Sequence, residues 1–253
     1  MNITKKYNIN KYIEDELNEK EDLVIVEYPF TIFLNGSEFI TLLCSPQSLE
    51  HLAVGFLHSE GILKSIDDIE SIKIDKDNGY GYITTKNKNL LSQKLYGKRT
   101  ITTGCGKGSI FYSTVDGIKC NKIENKMDVN NNNILALMKS FNKKSKLFLD
   151  TGGVHSVGLC NNDGILLFEE DIGRHNALDK IIGKCLYDNI SIKDKIIITS
   201  GRITSEVILK CAKIGIPYIV SRSAPTNLAI DIAKDLNIGL IGFVRGNKMN
   251  IYL

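Results

Sequence analysis

The last hundred residues constrain the fold most. From about residue 154 onward, short runs of aliphatic and β-branched residues alternate with apolar positions at helical spacing. Strands are expected at 154–160 and 164–169, then a helix with apolar positions at Leu178, Ile181, Ile182, Cys185 and Leu186. Strand Lys195–Thr199, a helix from Thr204 to Ile214, strand Pro217–Val220, a helix from Pro225 to Leu236 and strand Ile238–Val244 follow. Strand–helix alternation with short connections predicts right-handed βαβ units, hence a parallel sheet sandwiched by helices.

The first half reads differently. The first 20 residues are polar and are expected to form an arm that pairs or docks. Leu23–Leu34 and Glu38–Cys44 are rich in β-formers and are split by Asn35-Gly36-Ser37, a hairpin signal. Ser48 is placed as the N-cap of a helix carrying Leu49, Leu52, Ala53, Phe56 and Leu57, with Gly61 at its C′ position. Strands near Ile69–Ile74 and Tyr80–Thr85 flank another turn, Asp77-Asn78-Gly79. The run Asn130–Asn133 precedes an amphipathic helix with Ile134, Leu137, Met138 and Phe141. The expected organisation is a smaller, mostly antiparallel α+β domain over 1–129 and an α/β domain over 130–253.

Composition excludes several classes. Thirty-two basic and 29 acidic residues leave a net charge of +3, too little for a protein coated in nucleic acid. No apolar run approaches the roughly 18 residues needed to span a membrane. The charged start, Met-Asn-Ile-Thr-Lys-Lys-Tyr, lacks an apolar signal segment, so a cytoplasmic location with reduced thiols is expected. Six cysteines occur with no Cys-x-x-Cys pair, which leaves metal ribbons unsupported. His58-Ser59-Glu60 matches half of the zinc deaminase signature but lacks the Pro-Cys-x-x-Cys half, so it reads as a helix end and no metal site is expected.

Only five basic residues are arginine: Arg99, Arg174, Arg202, Arg222 and Arg245. Four of them sit at loop–element junctions in the second half. The loops are Asp171–Asn176 with Arg174 and His175, Ser200-Gly201-Arg202, Ser221–Thr226, and Phe243-Val244-Arg245-Gly246-Asn247-Lys248. Ligands of parallel sheets sit beyond the strand carboxyl ends, where helix N-termini and arginines attract anions. The joint pattern points to a phosphate-bearing ligand, against helix capping or carboxylate bridging by individual arginines. His155 follows Thr151-Gly152-Gly153; it and His175 fit either a structural role or a ligand-contact or proton-transfer role. Cys105 lies in Thr102–Ser109, which carries Gly104, Gly106 and Gly108 beside Lys107. A thiol there could ionise readily and act as a nucleophile, or be a chance cysteine. Cys44 and Cys160 in strands and Cys185 and Cys211 on apolar helix faces read as core, and Cys120 has no distinguishing context.

At these residues the chain resembles the formate dehydrogenase accessory sulfurtransferase family, FdhD. The matching segments are TGGVHSVGL (151–159), EDIGRHNALDKIIG (170–183), SGRITSEVILKCAKIGIPYIVSRSAPTNLAI (200–230) and GFVRGNKMNIY (242–252). GFLHSEGIL (55–63) and TTGCGKGS (102–109) match the family's first half in the same order. The resemblance implies a cytidine-deaminase-like α/β/α sandwich without zinc for the C-terminal domain. It implies a sulfurtransferase that accepts sulfur from a cysteine desulfurase as a persulfide and delivers it to the molybdenum bis(molybdopterin guanine dinucleotide) cofactor of formate dehydrogenase. Cys105 matches the family's persulfide carrier, and Gly108 occupies the position of a second loop cysteine. Phe243–Lys248 matches the cofactor-binding stretch, and Arg174, His175 and Arg202 are expected to join it. A homodimer is implied by the resemblance alone. Rival readings are a non-catalytic cofactor chaperone and a nucleotide or pterin hydrolase on the deaminase-like fold.

Overall fold

The computed structural model describes residues 2–87, 99–101, 120, 122–124 and 128–253, with 99–101 as backbone only. Cys105 and the glycine-rich segment 102–109 lie outside the described residues.

Strands β1 (Thr4–Ile13) and β2 (Glu16–Ile25) form an antiparallel ribbon, so the polar arm pairs with itself. Glu14 and Asp15 close it with φ of 50° and 66°, two successive left-handed residues as a tight hairpin requires. The single strand expected over Leu23–Leu34 is in fact two. Residues up to Ile25 pair with β1, whereas β3 (Tyr28–Leu34) enters a different sheet between β4 (Ser37–Cys44) and β6 (Tyr80–Thr85). With β5 (Ile69–Asp75) and β7 (Arg99–Ile101), that sheet runs β5-β6-β3-β4-β7. It is less antiparallel than expected, because β3–β6 and β4–β7 are parallel. The Asn35-Gly36 turn does form, with φ of 50° and 83°. Helix α1 (Leu49–Ser59) covers the sheet, packing Leu52, Phe56 and Leu57 against Phe30, Ile32 and Leu42.

The second half contains α2 (Asn131–Lys144), α3 (Lys146–Thr151), β8 (His155–Cys160), β9 (Ile165–Asp171), α4 (Arg174–Tyr187), β10 (Ile196–Thr199), α5 (Ser205–Ile214), β11 (Tyr218–Ser221), α6 (Asn227–Asp235), β12 (Gly239–Arg245) and β13 (Lys248–Ile251). The asparagine run does not precede α2 but forms its first turn, capped by the Asn130 side chain on the Asn132 N–H. The sheet order is β13-β12-β11-β10-β8-β9. Alternate residues of the strands face opposite layers: Ile197, Ile219 and Leu240 meet α4, α5 and α6, while Ile196, Ile198, Val220 and Ile241 meet α2. The layered α/β expectation therefore holds, but the sheet is mixed rather than parallel. Only β10–β11 and β11–β12 run parallel. The β8–β9 and β12–β13 pairs are hairpins, whose short turns permit only the antiparallel arrangement.

The two halves meet along α1 and α4. At their crossing the backbones touch: a Cβ on Gly55 would lie 1.8 Å from the Asp179 carbonyl oxygen, and one on Gly183 would lie 1.9 Å from that of His51. Buried polar groups fasten the junction. Lys180, wholly buried, pairs with Asp171 at 2.7 Å and donates to Ser45 Oγ at 2.8 Å. Asp171 also accepts from the Ser45 N–H at 3.0 Å, and Asn176 donates to the Leu43 carbonyl at 2.8 Å. Asp179 accepts from Ser59 at 2.7 Å and pairs with Lys210 at 2.5 Å. Ser48 was expected to cap α1, but its φ is 51° and its hydroxyl donates to Glu169 at 2.8 Å instead.

Glu60 borders this junction, and burial raises its carboxyl from 4.5 to about 7, with Lys210 opposing the rise. A raised carboxyl keeps its proton in the folded chain while the unfolded chain releases it. Stability should therefore fall as pH rises from about 4.5 to about 7 and be level beyond, by on the order of 3 kcal/mol from this group. Glu60→Gln should remove that decline. Urea denaturation at pH 5 and pH 8 checks this; an equal gap between variant and parent at both values would contradict it.

Candidate anion-binding site

Three loops at the carboxyl end of β10–β12 are latched in series. The Arg222 N–H donates to the Thr199 carbonyl at 3.1 Å, and Ser221 Oγ to the Gly201 carbonyl at 2.6 Å. The Phe243 N–H reaches the Ser223 carbonyl at 3.0 Å, and Arg245 Nε the Arg222 carbonyl at 3.1 Å. Ser200 fixes this edge to β8: its Oγ accepts from the Ser156 N–H at 3.0 Å and lies 3.3 Å from His155 Nδ1. A rigid rim of backbone thus carries the side chains singled out in the sequence.

Arg174, His175, Arg202 and His155 converge at one end of this rim. The Arg174 side chain lies across Gly201, where a Cβ would sit 3.0 Å from Arg174 Cβ and Cδ. Any larger residue at 201 would push the guanidinium away. Burial lowers the pKa of Arg174, and the neighbouring Arg202 lowers it further. His155 is lowered by burial, then by Arg174 and Arg202. His175 is driven down to about 2, chiefly by burial and then by Lys210, Arg174 and His155. Its Nε2 lies 3.5 Å from Glu206 Oε2, but a neutral imidazole forms no ion pair there. Burial raises the Glu206 carboxyl, and Lys210 beside it opposes that rise.

Several groups at this spot are left without partners. Arg174 Nε, His175 Nε2 and Thr204 Oγ1 are buried and have no hydrogen-bond partner. The first turns of α4 and α5 also open here, and neither has a side-chain cap; α6 is capped by Thr226. Cations that repel one another, uncapped helix N-termini and orphaned donors share one remedy, an anion held among them. The chemistry on offer is charge neutralisation and orientation of a phosphate-like group. Among the described residues no group of three or more His, Cys, Asp or Glu side chains is arranged to hold a metal.

The Phe243–Lys248 segment is placed differently from expectation. The sequence places it as a loop after the last strand, but it is the β12–β13 hairpin at the sheet edge, turning at Gly246 with φ of 57°. Val244 is fully buried against the α2 layer, so its side chain serves the core. Phe243, Arg245, Gly246, Asn247 and Lys248 are exposed, and the Arg245 guanidinium lies 5.9 Å from the Phe243 ring centroid. Asp171 and Asn176, read with the ligand loop, are committed to the α1 junction. Thr204 and Glu206 were not singled out; at a helix start they read as an ordinary cap and a dipole-compensating acid. Cys44, Cys160, Cys185 and Cys211 are buried as expected, and burial raises every one of these thiols, Cys160 and Cys185 to about 12.

Fold and site together define a class: a mixed α/β protein with a cluster of arginines and histidines, several of their atoms unpartnered, at its strand ends. The FdhD/NarQ family model matches residues 25–253, and the chain belongs to that family. It is 44% identical over 250 residues to the sulfur carrier protein FdhD of Bacillus subtilis strain 168, covering 99% of this chain and 95% of that one. The protein of the same name from Listeria monocytogenes serotype 4b is 43% identical over 254 residues, covering 100% and 97%. A crystal structure of a formate dehydrogenase accessory protein from Desulfotalea psychrophila superposes with a TM-score of 0.81 at 25% identity, covering 99% and 97%. No helix among the described residues is long and apolar enough to cross a membrane.

Proposed function

We propose that this chain takes up sulfur as a persulfide on Cys105 and delivers it to the molybdenum bis(molybdopterin guanine dinucleotide) cofactor before formate dehydrogenase receives it. The family's sulfur carriers and the formate dehydrogenase accessory neighbour support the sulfur chemistry and the client. The single observation that carries the cofactor reading is the buried, unpartnered Arg174 Nε among Arg202, His155 and two uncapped helix starts. The cofactor is the substrate here, and its phosphates match that need for an anion. Arg245 and Lys248, on the same strand-end rim, extend the positive surface. The C-terminal half is read as the cytidine-deaminase-like member of its class, over 130–253, with the N-terminal domain over 1–129 bearing the cysteine segment.

In the loading step the Cys105 thiolate attacks the outer sulfur of a cysteine desulfurase persulfide. A new S–S bond forms as the donor's S–S bond breaks, and the donor cysteine leaves as a thiolate. Lys107, two residues along the chain, would favour the thiolate that this attack requires. The test is incubation with a cysteine desulfurase and cysteine, followed by peptide mass spectrometry. The Cys105 peptide should gain one sulfur atom and lose it on thiol reduction. A protein that stays unmodified at Cys105 while the desulfurase is active would refute the reading.

A further inference from the structure

Glu206 places a carboxylate where the Arg174 cluster gathers cations. It stands in the first turn of α5, with its side chain only 20% exposed. Lys210 lies 3.9 Å from its Oε1 but is already paired with Asp179 at 2.5 Å. Its other oxygen, Oε2, lies 3.5 Å from His175 Nε2, a buried ring nitrogen with no hydrogen-bond partner. One proton held between these two atoms would close the contact as a charge-assisted hydrogen bond. The charged and titratable groups around the pair come from several elements. Arg174 and Asp179 are on α4, Lys210 on α5, His155 on β8 and Arg202 after β10, while Glu60 ends α1 and reaches the same lysine. Lys213 on α5 acts on Glu60 and donates to the Ser59 carbonyl.

We propose that anion binding at the Arg174 cluster is proton-coupled: each anion bound brings one proton into the His175–Glu206 pair. The inference rests on the reading above that this cluster holds a phosphate-bearing ligand, and it makes Glu206 a determinant of when the site binds. Burial above all, then Lys210, Arg174 and His155, keep a proton off His175. An anion beside Arg174 offsets that cation's repulsion of His175, and it repels the Glu206 carboxylate, whose proton burial already favours. Both changes act in one direction, so either member of the pair gains affinity for the same proton. Linkage then fixes the sign. Binding weakens as pH rises, by about tenfold per pH unit wherever one proton is taken up per anion. Nothing in the sequence marks this role, since an acid in the first turn of a helix reads as a match for the helix dipole.

The experiment is calorimetric titration of GDP-mannose into the full chain at about pH 6.5, in two buffers of different protonation enthalpy. Its diphosphate is a diester and exchanges no proton of its own near neutral pH. The buffer dependence of the heat should report uptake of about one proton per ligand, and affinity should fall about tenfold by about pH 7.5. Glu206→Gln keeps the shape of the side chain and should bind with no uptake and no pH dependence over that range. His155→Gln should keep the uptake, because that ring faces Ser200 and the arginines rather than Glu206. Circular dichroism checks the folding of both variants. Binding by the parent without proton uptake overturns the coupling and leaves the nucleotide reading standing. Uptake retained in Glu206→Gln, or lost in His155→Gln, overturns the assignment to the pair. A parent that binds no GDP-mannose overturns the phosphate reading of the cluster and the coupling with it.

Discussion

A Cys105→Ala variant is expected to lose formate dehydrogenase maturation completely while melting at the parent temperature. The expected loss is complete because no other described thiol is suited to take over. Cys44, Cys160, Cys185 and Cys211 are buried, and burial holds each as the neutral thiol, a poor nucleophile. Cys120 is half-buried against the C-terminal core, and its own replacement by alanine should leave maturation intact. Cys105 is the one cysteine in the segment 102–109, which therefore holds no resolving thiol of its own. Complementation of a strain lacking its own copy, read as formate dehydrogenase activity, decides the matter. Activity retained by Cys105→Ala at parental expression would leave only a chaperone role for the chain.

Local signals were legible wherever the chemistry is local. The Asn35-Gly36 and Asn78-Gly79 turns, the helix faces of α1, α2 and α4, and the core cysteines all follow from spacing and turn residues. Pairing partners were not legible, because a strand's periodicity says which face is apolar and nothing about its neighbour. That is why Leu23–Leu34 read as one strand although its ends serve two sheets, and why β13, a four-residue edge strand, was missed. For the site, clustering arginines by loop correctly drew Arg174 and Arg202 together. It could not separate loop residues that contact a ligand from those that hold the loop. Asp171 and Asn176 share a motif with Arg174 and His175, yet they bind the Ser45 N–H and the Leu43 carbonyl of the other half. Only three-dimensional placement distinguishes the two roles.

Gly183→Ala should be the most destabilising single methyl in the described structure outside the core strands, and Gly55→Ala its counterpart. A Cβ on Gly183 would sit 1.9 Å from the His51 carbonyl oxygen and 2.6 Å from its carbon; one on Gly55 would meet the Asp179 carbonyl at 1.8 Å and the Gly183 nitrogen at 2.8 Å. These obstacles are backbone, so no rotamer change relieves them, and α1 and α4 must move apart along their length. Alanine returns about 1 kcal/mol of helix propensity. The separation costs more, because it opens a packed crossing and stretches the buried Ser59–Asp179 and Lys210–Asp179 contacts. A net loss of about 3 kcal/mol is expected, lowering the melting temperature by roughly 10 °C. Gly164→Ala is the control, since a Cβ there meets nothing within 4 Å and should shift the midpoint little. The same separation would displace the start of α4, and with it Arg174, from Gly201. On the proposed reading that the Arg174 cluster holds a nucleotide phosphate, Gly183→Ala should therefore weaken GDP binding, read by calorimetry, even at temperatures where the variant is fully folded. A variant that melts with the parent would show that the helices do not cross in backbone contact, and the α1–α4 junction would lose its part in positioning the site.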